Sequence, residues 1–126
     1  MDWSNAVSHA KGELTSSPAN VSINVSDSNY YNDCKIRLSS NYWSDVSWVG
    51  NTRKESSNVY EIYLNSSKVS TEDLKKSTAT HEICHAFGLN DCEDSAYIMY
   101  GYDTYTPLSI TNYENNLFIG RYGAYN

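Results

Sequence analysis

The stretch His81-Glu82-Ile83-Cys84-His85-Ala86-Phe87-Gly88-Leu89-Asn90-Asp91 decides how the rest of this chain is read. On a helix, at ~100° per residue, His81 and His85 project from one face one turn apart, where both imidazoles reach one metal ion. Glu82 lies beside them, placed to deprotonate a water on that ion without ligating the metal itself. Ala79, Ile83 and Ala86 fall on the opposite face and are predicted to pack against a sheet. Gly88 takes the left-handed conformation without a Cβ penalty, so a helix ends there readily. The chain then turns back and delivers Asp91 to the same ion. Two His and one carboxylate leave a fourth tetrahedral position for water, the arrangement of a catalytic rather than a structural zinc. Two histidines four apart on a solvated face often mean nothing. Gly88 and Asp91 at their offsets, a helix cap upstream and Met99 downstream separate this segment from that bland case.

Working outward, Ser70 or Thr71 caps the helix, and Glu72 and Asp73 sit in its first turn, where the positive end of the dipole favours them. The helix is predicted over residues 71–87. Upstream, Val59 to Leu64 reads as a strand, Val46 to Val49 is a short apolar patch, and Cys34, Ile36 and Leu38 alternate as a strand does. Val21, Ile23 and Val25 repeat that alternation and predict a half-buried strand. Trp3, Ala6, Val7, Ala10 and Leu14 have helical spacing, which Thr15-Ser-Ser-Pro18 ends. Downstream, residues 91–107 are irregular. Thr111 followed by Glu114 resembles a capping box opening a last helix that carries Tyr113, Leu117, Phe118 and Tyr122.

The whole chain, 1–126, is predicted to be one domain, an upper sheet-plus-helix half over about 1–88 and a small lower lobe over about 89–126. Hydrophobic residues make up 40% and charged residues 19%, which argues against disorder. The net charge of −6 and the absence of any run of Lys or Arg longer than a pair such as Lys75-Lys76 argue against nucleic acid and anionic lipid as partners. No apolar stretch approaches the ~18–20 residues of a membrane span. Met1-Asp2-Trp3 has no signal-peptide character, so the chain reads as a mature fragment given a start Met. The sequons at Asn20, Asn24 and Asn65 are what an Asn/Ser-rich chain produces by chance. Trp43 and Trp48 read as packing residues rather than substrate platforms.

The eleven-residue segment resembles the metzincin signature of zinc peptidases, His-Glu-x-x-His-x-x-Gly-x-x-His, with Asp91 in the third-ligand position. Ser95-Ala-Tyr-Ile-Met99-Tyr100 resembles the metzincin Met-turn, whose methionine lies beneath the metal. Ile98-Met99-Tyr100 and the following Gly-Tyr-Asp-Thr-Tyr-Thr-Pro-Leu-Ser are similar to bacterial matrixin-type members, as are the closing Tyr122-Gly123 and the strand Glu61-Ile-Tyr-Leu64-Asn65. Aspartate as third ligand is similar to small secreted bacterial members of the snapalysin type. The resemblance is specific over residues 71–102 and loose elsewhere. Gly101 stands where astacins and serralysins carry a metal-side tyrosine, which leaves Tyr100 or Tyr102 as candidates for contact with the transition state or substrate. Only His9 remains beyond the two histidine ligands, so the structural zinc site of vertebrate matrixins has no visible ligands. Backbone carbonyls and scattered Asp residues leave room for calcium, although no motif calls for it.

This resemblance implies an α+β, zincin-like metallopeptidase domain: a twisted, mostly parallel mixed sheet backed by helices, with a terminal helix in the small C-terminal lobe. It implies one catalytic Zn2+ held by His81, His85 and Asp91, Glu82 as the base, and Gly88 and Met99 as structural support. It further implies a secreted, monomeric endopeptidase acting on extended polypeptide laid along an edge strand, with residues 100–107 walling one pocket. Two other functions stand beside it, a zinc-holding binding module that does not cleave and a hydrolase of a non-protein amide. Intact Glu82 speaks against the first. Cys34, Cys84 and Cys92 allow a disulfide from Cys92 to Cys84 or Cys34, or three thiols packed as small apolar groups.

Overall fold

The computed structural model describes residues 2–25, 35–56, 59–101 and 107–124. Helix α1 spans Ser4–Thr15 and buries Ala6, Ala10 and Leu14, the face expected from their spacing. Three strands follow, β1 (Ile36–Asn41), β2 (Gly50–Lys54) and β3 (Tyr60–Asn65). A short 3-10 turn over Ser66–Lys68 leads to α2 (Glu72–Ala86), and α3 (Asn112–Tyr122) closes the described chain. The architecture is a small α+β arrangement of three helices and one three-stranded sheet.

The strand order is β1-β3-β2. β1 runs parallel to β3, with Leu38 opposite Ile62, and β2 runs antiparallel to β3, with Thr52 opposite Ile62. Among the described residues the sheet is therefore evenly mixed, one parallel and one antiparallel pair, rather than mostly parallel. β2 has no apolar alternation, and its Gly-Asn-Thr-Arg-Lys sequence gives no strand signal. It forms because β3 offers a complete ladder of backbone partners from Gly50–Leu64 to Lys54–Tyr60. The strand expected at Val21, Ile23 and Val25 is absent. Val21 is buried and Ile23 packs on the core, but Val25 is 53% exposed. Their alternation reports one buried side of an extended segment, and no described strand lies alongside to pair with it.

A single core joins Trp3, Leu14, Ile62, Leu64, Ile83, Ile98, Met99 and Phe118. Each such fully buried large side chain contributes about 1.5–3 kcal/mol relative to exposure. The helix α2 supplies Ala79 and Ile83 to this core and packs on α1, β2 and β3, while Ala86 is only partly buried. Two polar contacts lock α1 to the sheet-and-helix layer. The Trp3 indole N–H donates to Ser66 Oγ at 2.9 Å, and Lys75 Nζ donates to the Asp2 carbonyl at 2.7 Å. Asn65, fully buried at the end of β3, uses its whole side chain. Its amide nitrogen donates to the carbonyls of Trp43 and Trp48, and its oxygen accepts from the N–H of Trp43 and Ser67. That pins the 43–48 loop beside the sheet, where Trp43 meets Trp48 and Tyr63 at centroid separations of 5.5 and 6.0 Å.

The capping box of α3 is formed as expected, with Thr111 and Glu114 bonded reciprocally. Its apolar face is narrower than the sequence suggests. Phe118 is buried, but Tyr113, Leu117 and Tyr122 are exposed, and the second fully buried side chain of the helix is Glu114. Cys84 and Cys92 are both free thiols, which removes the Cys84–Cys92 disulfide; Cys34 lies outside the described residues. Cys84 is inside the core at the back of α2, and burial pushes its thiol pKa far up. No helix among the described residues is long and apolar enough to cross a membrane.

Candidate metal centre

The start of α2 is set by Thr71, whose Oγ1 accepts from Leu74 N at 3.1 Å, with Glu72 and Asp73 in the first turn. Its end is set by Gly88 at φ +101°. Gly88 N donates to His85 O at 2.9 Å and Leu89 N to Cys84 O at 3.2 Å, the paired bonds of a Schellman motif. Two groups of α3 close the same helix end. Tyr122 OH donates to the Phe87 carbonyl at 2.5 Å, and the Arg121 guanidinium lies where a Cβ on Gly88 would be, at 2.6 Å. A cation there also suits the negative end of the helix dipole.

This turn does two things for the site. It reverses the chain so that Asp91 returns to the histidines, and it presents the Leu89 carbonyl to His85 Nδ1 at 2.8 Å. The Ile98 carbonyl does the same for His81 Nδ1 at 2.7 Å. A carbonyl only accepts, so both Nδ1 atoms are the protonated ones. In the neutral rings both Nε2 atoms then carry lone pairs. Those lone pairs converge. His81 Nε2 and His85 Nε2 are 3.1 Å apart, and Asp91 Oδ1 is 3.0 Å from the first and 2.9 Å from the second.

Three acceptor atoms in so small a triangle repel one another unless a cation sits among them. In the metal-free protein a proton on His81 can take that place. Burial pushes the His81 pKa down, but the Asp91 hydrogen bond, the Glu82 charge and the Ile98 carbonyl outweigh it and leave the pKa raised. The hydrogen bond from His81 in turn holds the Asp91 pKa below the usual carboxylate range. A metal ion fits the same place. A tetrahedral ion with bonds of about 2.0–2.1 Å spaces its ligand atoms about 3.4 Å apart, so the triangle has only to open by about 0.4 Å. The donor set can hold a metal ion, and nitrogen with oxygen donors suits several divalent cations.

Glu82 is buried, with one carboxylate oxygen, Oε2, 3.9 Å from His81 Nε2 and so beside the ligands rather than among them. Its other oxygen, Oε1, accepts from Thr52 Oγ1 at 2.8 Å. Met99 is fully buried one residue after the Ile98 carbonyl that fixes His81. Its carbonyl accepts from Cys92 N at 2.8 Å, which ties the turn to the residue after Asp91. Gly101 leaves room for Asp91, whose Cβ would lie 3.2 Å from a Cβ at position 101.

His81, Glu82, His85 and Asp91 open onto one cleft of about 610 Å³, which residues of β2 line together with Asn90, Tyr100 and Gly101. β2 is one of the two edges of the sheet, and its outer backbone edge has no strand partner among the described residues. Trp48, which packs on Trp43, also lines the cleft. Of the expected site residues, the structure thus brings together His81, His85, Asp91 and Glu82, with Gly88 and Tyr100 lining the same cleft; Met99 is fully buried and does not line it, and Tyr102 lies outside the described residues. Thr52 and Gly50, both against Glu82, carried no signal in the sequence because they meet it only through the strand β2. No family model matches the chain, and no curated protein matches its sequence.

Proposed function

We propose that this protein is a zinc-dependent endopeptidase of metzincin type, with the ion held by His81 Nε2, His85 Nε2 and an Asp91 carboxylate oxygen. The observation that carries the proposal is Glu82, a buried carboxylate held beside a ready set of three metal ligands without joining it. A site that only stored or sensed a metal has no use for such a group. The same carboxylate favours hydrolysis by zinc over oxygen chemistry by iron, which two His and one carboxylate also support.

When bound, zinc supplies Lewis acidity that makes a water acidic near neutral pH and polarises a carbonyl. The chain supplies the rest. Glu82 Oε2 accepts the proton of the attacking water and returns it to the departing amine. The Ile98 and Leu89 carbonyls keep both imidazoles turned toward the ion. The outer edge of β2 offers backbone N–H and C=O groups to an extended peptide by strand addition, and Tyr100 lines the same cleft.

The test is peptide cleavage. Zinc-loaded protein is incubated with casein and a mixed peptide library, beside Glu82→Ala. The wild type is expected to cleave internal bonds. The variant is expected to keep its zinc and lose about 10²–10⁴-fold or more in turnover, because Glu82 touches water and not metal. Near wild-type turnover in Glu82→Ala overturns the mechanism. Absence of cleavage by zinc-loaded wild type overturns the assignment.

A further inference from the structure

The Glu82 side chain is gripped by a neighbouring element that the proposed chemistry does not mention. Thr52 Oγ1 lies 2.8 Å from Glu82 Oε1 and 3.0 Å from the backbone carbonyl of the same residue. The hydroxyl has one proton and both partners accept, so that proton is shared between the side chain and the main chain of Glu82 and holds the carboxylate against β2. Two residues earlier on the same face of β2 stands Gly50. A Cβ there would lie 2.6 Å from Glu82 Cγ, closer than such atoms approach, and 3.0 Å from Oε2, so the Glu82 side chain would have to shift. Gly50 makes the space and Thr52 holds what fills it.

We propose that Thr52 is a positioning residue that selects the working oxygen of Glu82, tying Oε1 to β2 so that Oε2 faces the metal ligands. This role rests on the hydrolase proposed above. A carboxylate free to rotate presents either oxygen, or neither, to the attacking water. With Oε1 engaged, Oε2 is the oxygen on the His81 side, 3.9 Å from Nε2. The same strand whose outer edge would pair with a peptide thereby also sets the base. Substrate register and proton acceptor are carried by one rigid element.

The competing explanation is that the Thr52 hydroxyl merely glues β2 to α2. Three variants separate the two: Thr52→Val, which keeps the shape and loses the hydroxyl, Thr52→Ser, which keeps the hydroxyl, and Thr52→Ala, which replaces Thr52→Val if the latter fails to fold. Removing an outer partner of an active group typically costs about 10–100-fold. Thr52→Val is expected to lower kcat by about that factor with KM and zinc affinity little changed, and Thr52→Ser to stay within about threefold of wild type. A structural glue would instead lower thermal stability without splitting kcat from KM. The second readout needs neither metal nor turnover. In crystals of Thr52→Val, Glu82 is expected to leave its single orientation, and in Thr52→Ser to keep it. Wild-type kcat in Thr52→Val, Thr52→Ser as impaired as Thr52→Val, or an unmoved Glu82 in the Thr52→Val crystal overturns the proposal. Should the wild type cleave no peptide, the hydrolase assignment fails, and the orientation of Glu82 still decides the role of Thr52.

Discussion

Acid should loosen zinc from this protein because the metal and a proton compete for the same lone pairs. In the metal-free site, His81 Nε2 faces Asp91 Oδ1 at 3.0 Å, and the raised His81 pKa means that a proton occupies this place to a higher pH than an ordinary imidazole allows. Zinc must displace it, since only the neutral ring ligates. Above the raised pKa there is no proton on His81 to remove, and its contribution to the pH dependence vanishes. Below it, each further unit of acid lowers apparent zinc affinity at least about tenfold, roughly 1.4 kcal/mol, for the one proton expelled. Asp91 does not offset this over the same range, because its pKa is depressed and it stays ionised until much lower pH. Titration calorimetry in buffers of different ionisation enthalpy counts the protons directly. At about pH 5.5, below the ordinary histidine value of about 6.5, zinc binding is expected to release at least one proton from the imidazoles, whereas well above the raised His81 pKa the released proton comes from the zinc-bound water, whose pKa the ion brings to about 7. Asp91→Ala removes the first of the groups that raise the His81 pKa and one of three ligands. It should bind zinc far more weakly at every pH, whereas Asp91→His restores a ligand at nearly the same distance and should bind about as the wild type does. Zinc affinity that does not weaken as the pH falls, no proton release at about pH 5.5, or unchanged affinity in Asp91→Ala would refute the competition as drawn.

Other perturbations reach the frame behind the site. Glu114→Ala removes a fully buried carboxylate that accepts from Thr111 N at 2.9 Å and Met99 N at 3.3 Å, leaving two backbone donors without it. Chemical denaturation should show a loss of about 2–5 kcal/mol, from the broken cap and the unsatisfied donors, and a loss under 1 kcal/mol would mean the bonds contribute little. Gly88→Ala places a Cβ at φ +101° and against Arg121, so it should cost more than about 1 kcal/mol and weaken zinc binding by disturbing the turn that carries Asp91. Met99→Leu conserves volume in a fully buried position and should cost less than about 1.5 kcal/mol with activity retained, so inactivity in a folded variant would give the sulfur a further role.

The parts of the molecule governed by local chemistry were legible in the sequence. Thr71 caps α2 through its own hydroxyl, Gly88 ends it through its own backbone, and the three ligands lie within eleven residues, so helix periodicity and one turn were enough to bring them together. Thr111 and Glu114 form their box for the same reason. What sequence reasoning missed depends on partners distant along the chain. β2 exists by virtue of β3, and its Gly-Asn-Thr-Arg-Lys run has no pattern of its own. Thr52 meets Glu82 across 30 residues, and nothing local announces either that bond or the need for Gly50. The alternation at Val21, Ile23 and Val25 misled in the opposite sense, since period two records burial of one side and says nothing of whether a neighbour strand is there to pair. In α3 the apolar letters Tyr113 and Leu117 suggested a buried face, while the helix is anchored instead by the Glu114 carboxylate and Phe118.

The most direct test of the metal centre is anomalous diffraction at the zinc absorption edge from crystals of the zinc-loaded protein. One peak is expected, about 2.0–2.1 Å from His81 Nε2 and His85 Nε2 and about 2.0–2.2 Å from an Asp91 carboxylate oxygen, with Glu82 outside bonding distance. A peak elsewhere, a site that Glu82 joins as a ligand, or no peak between the two histidines would contradict the account.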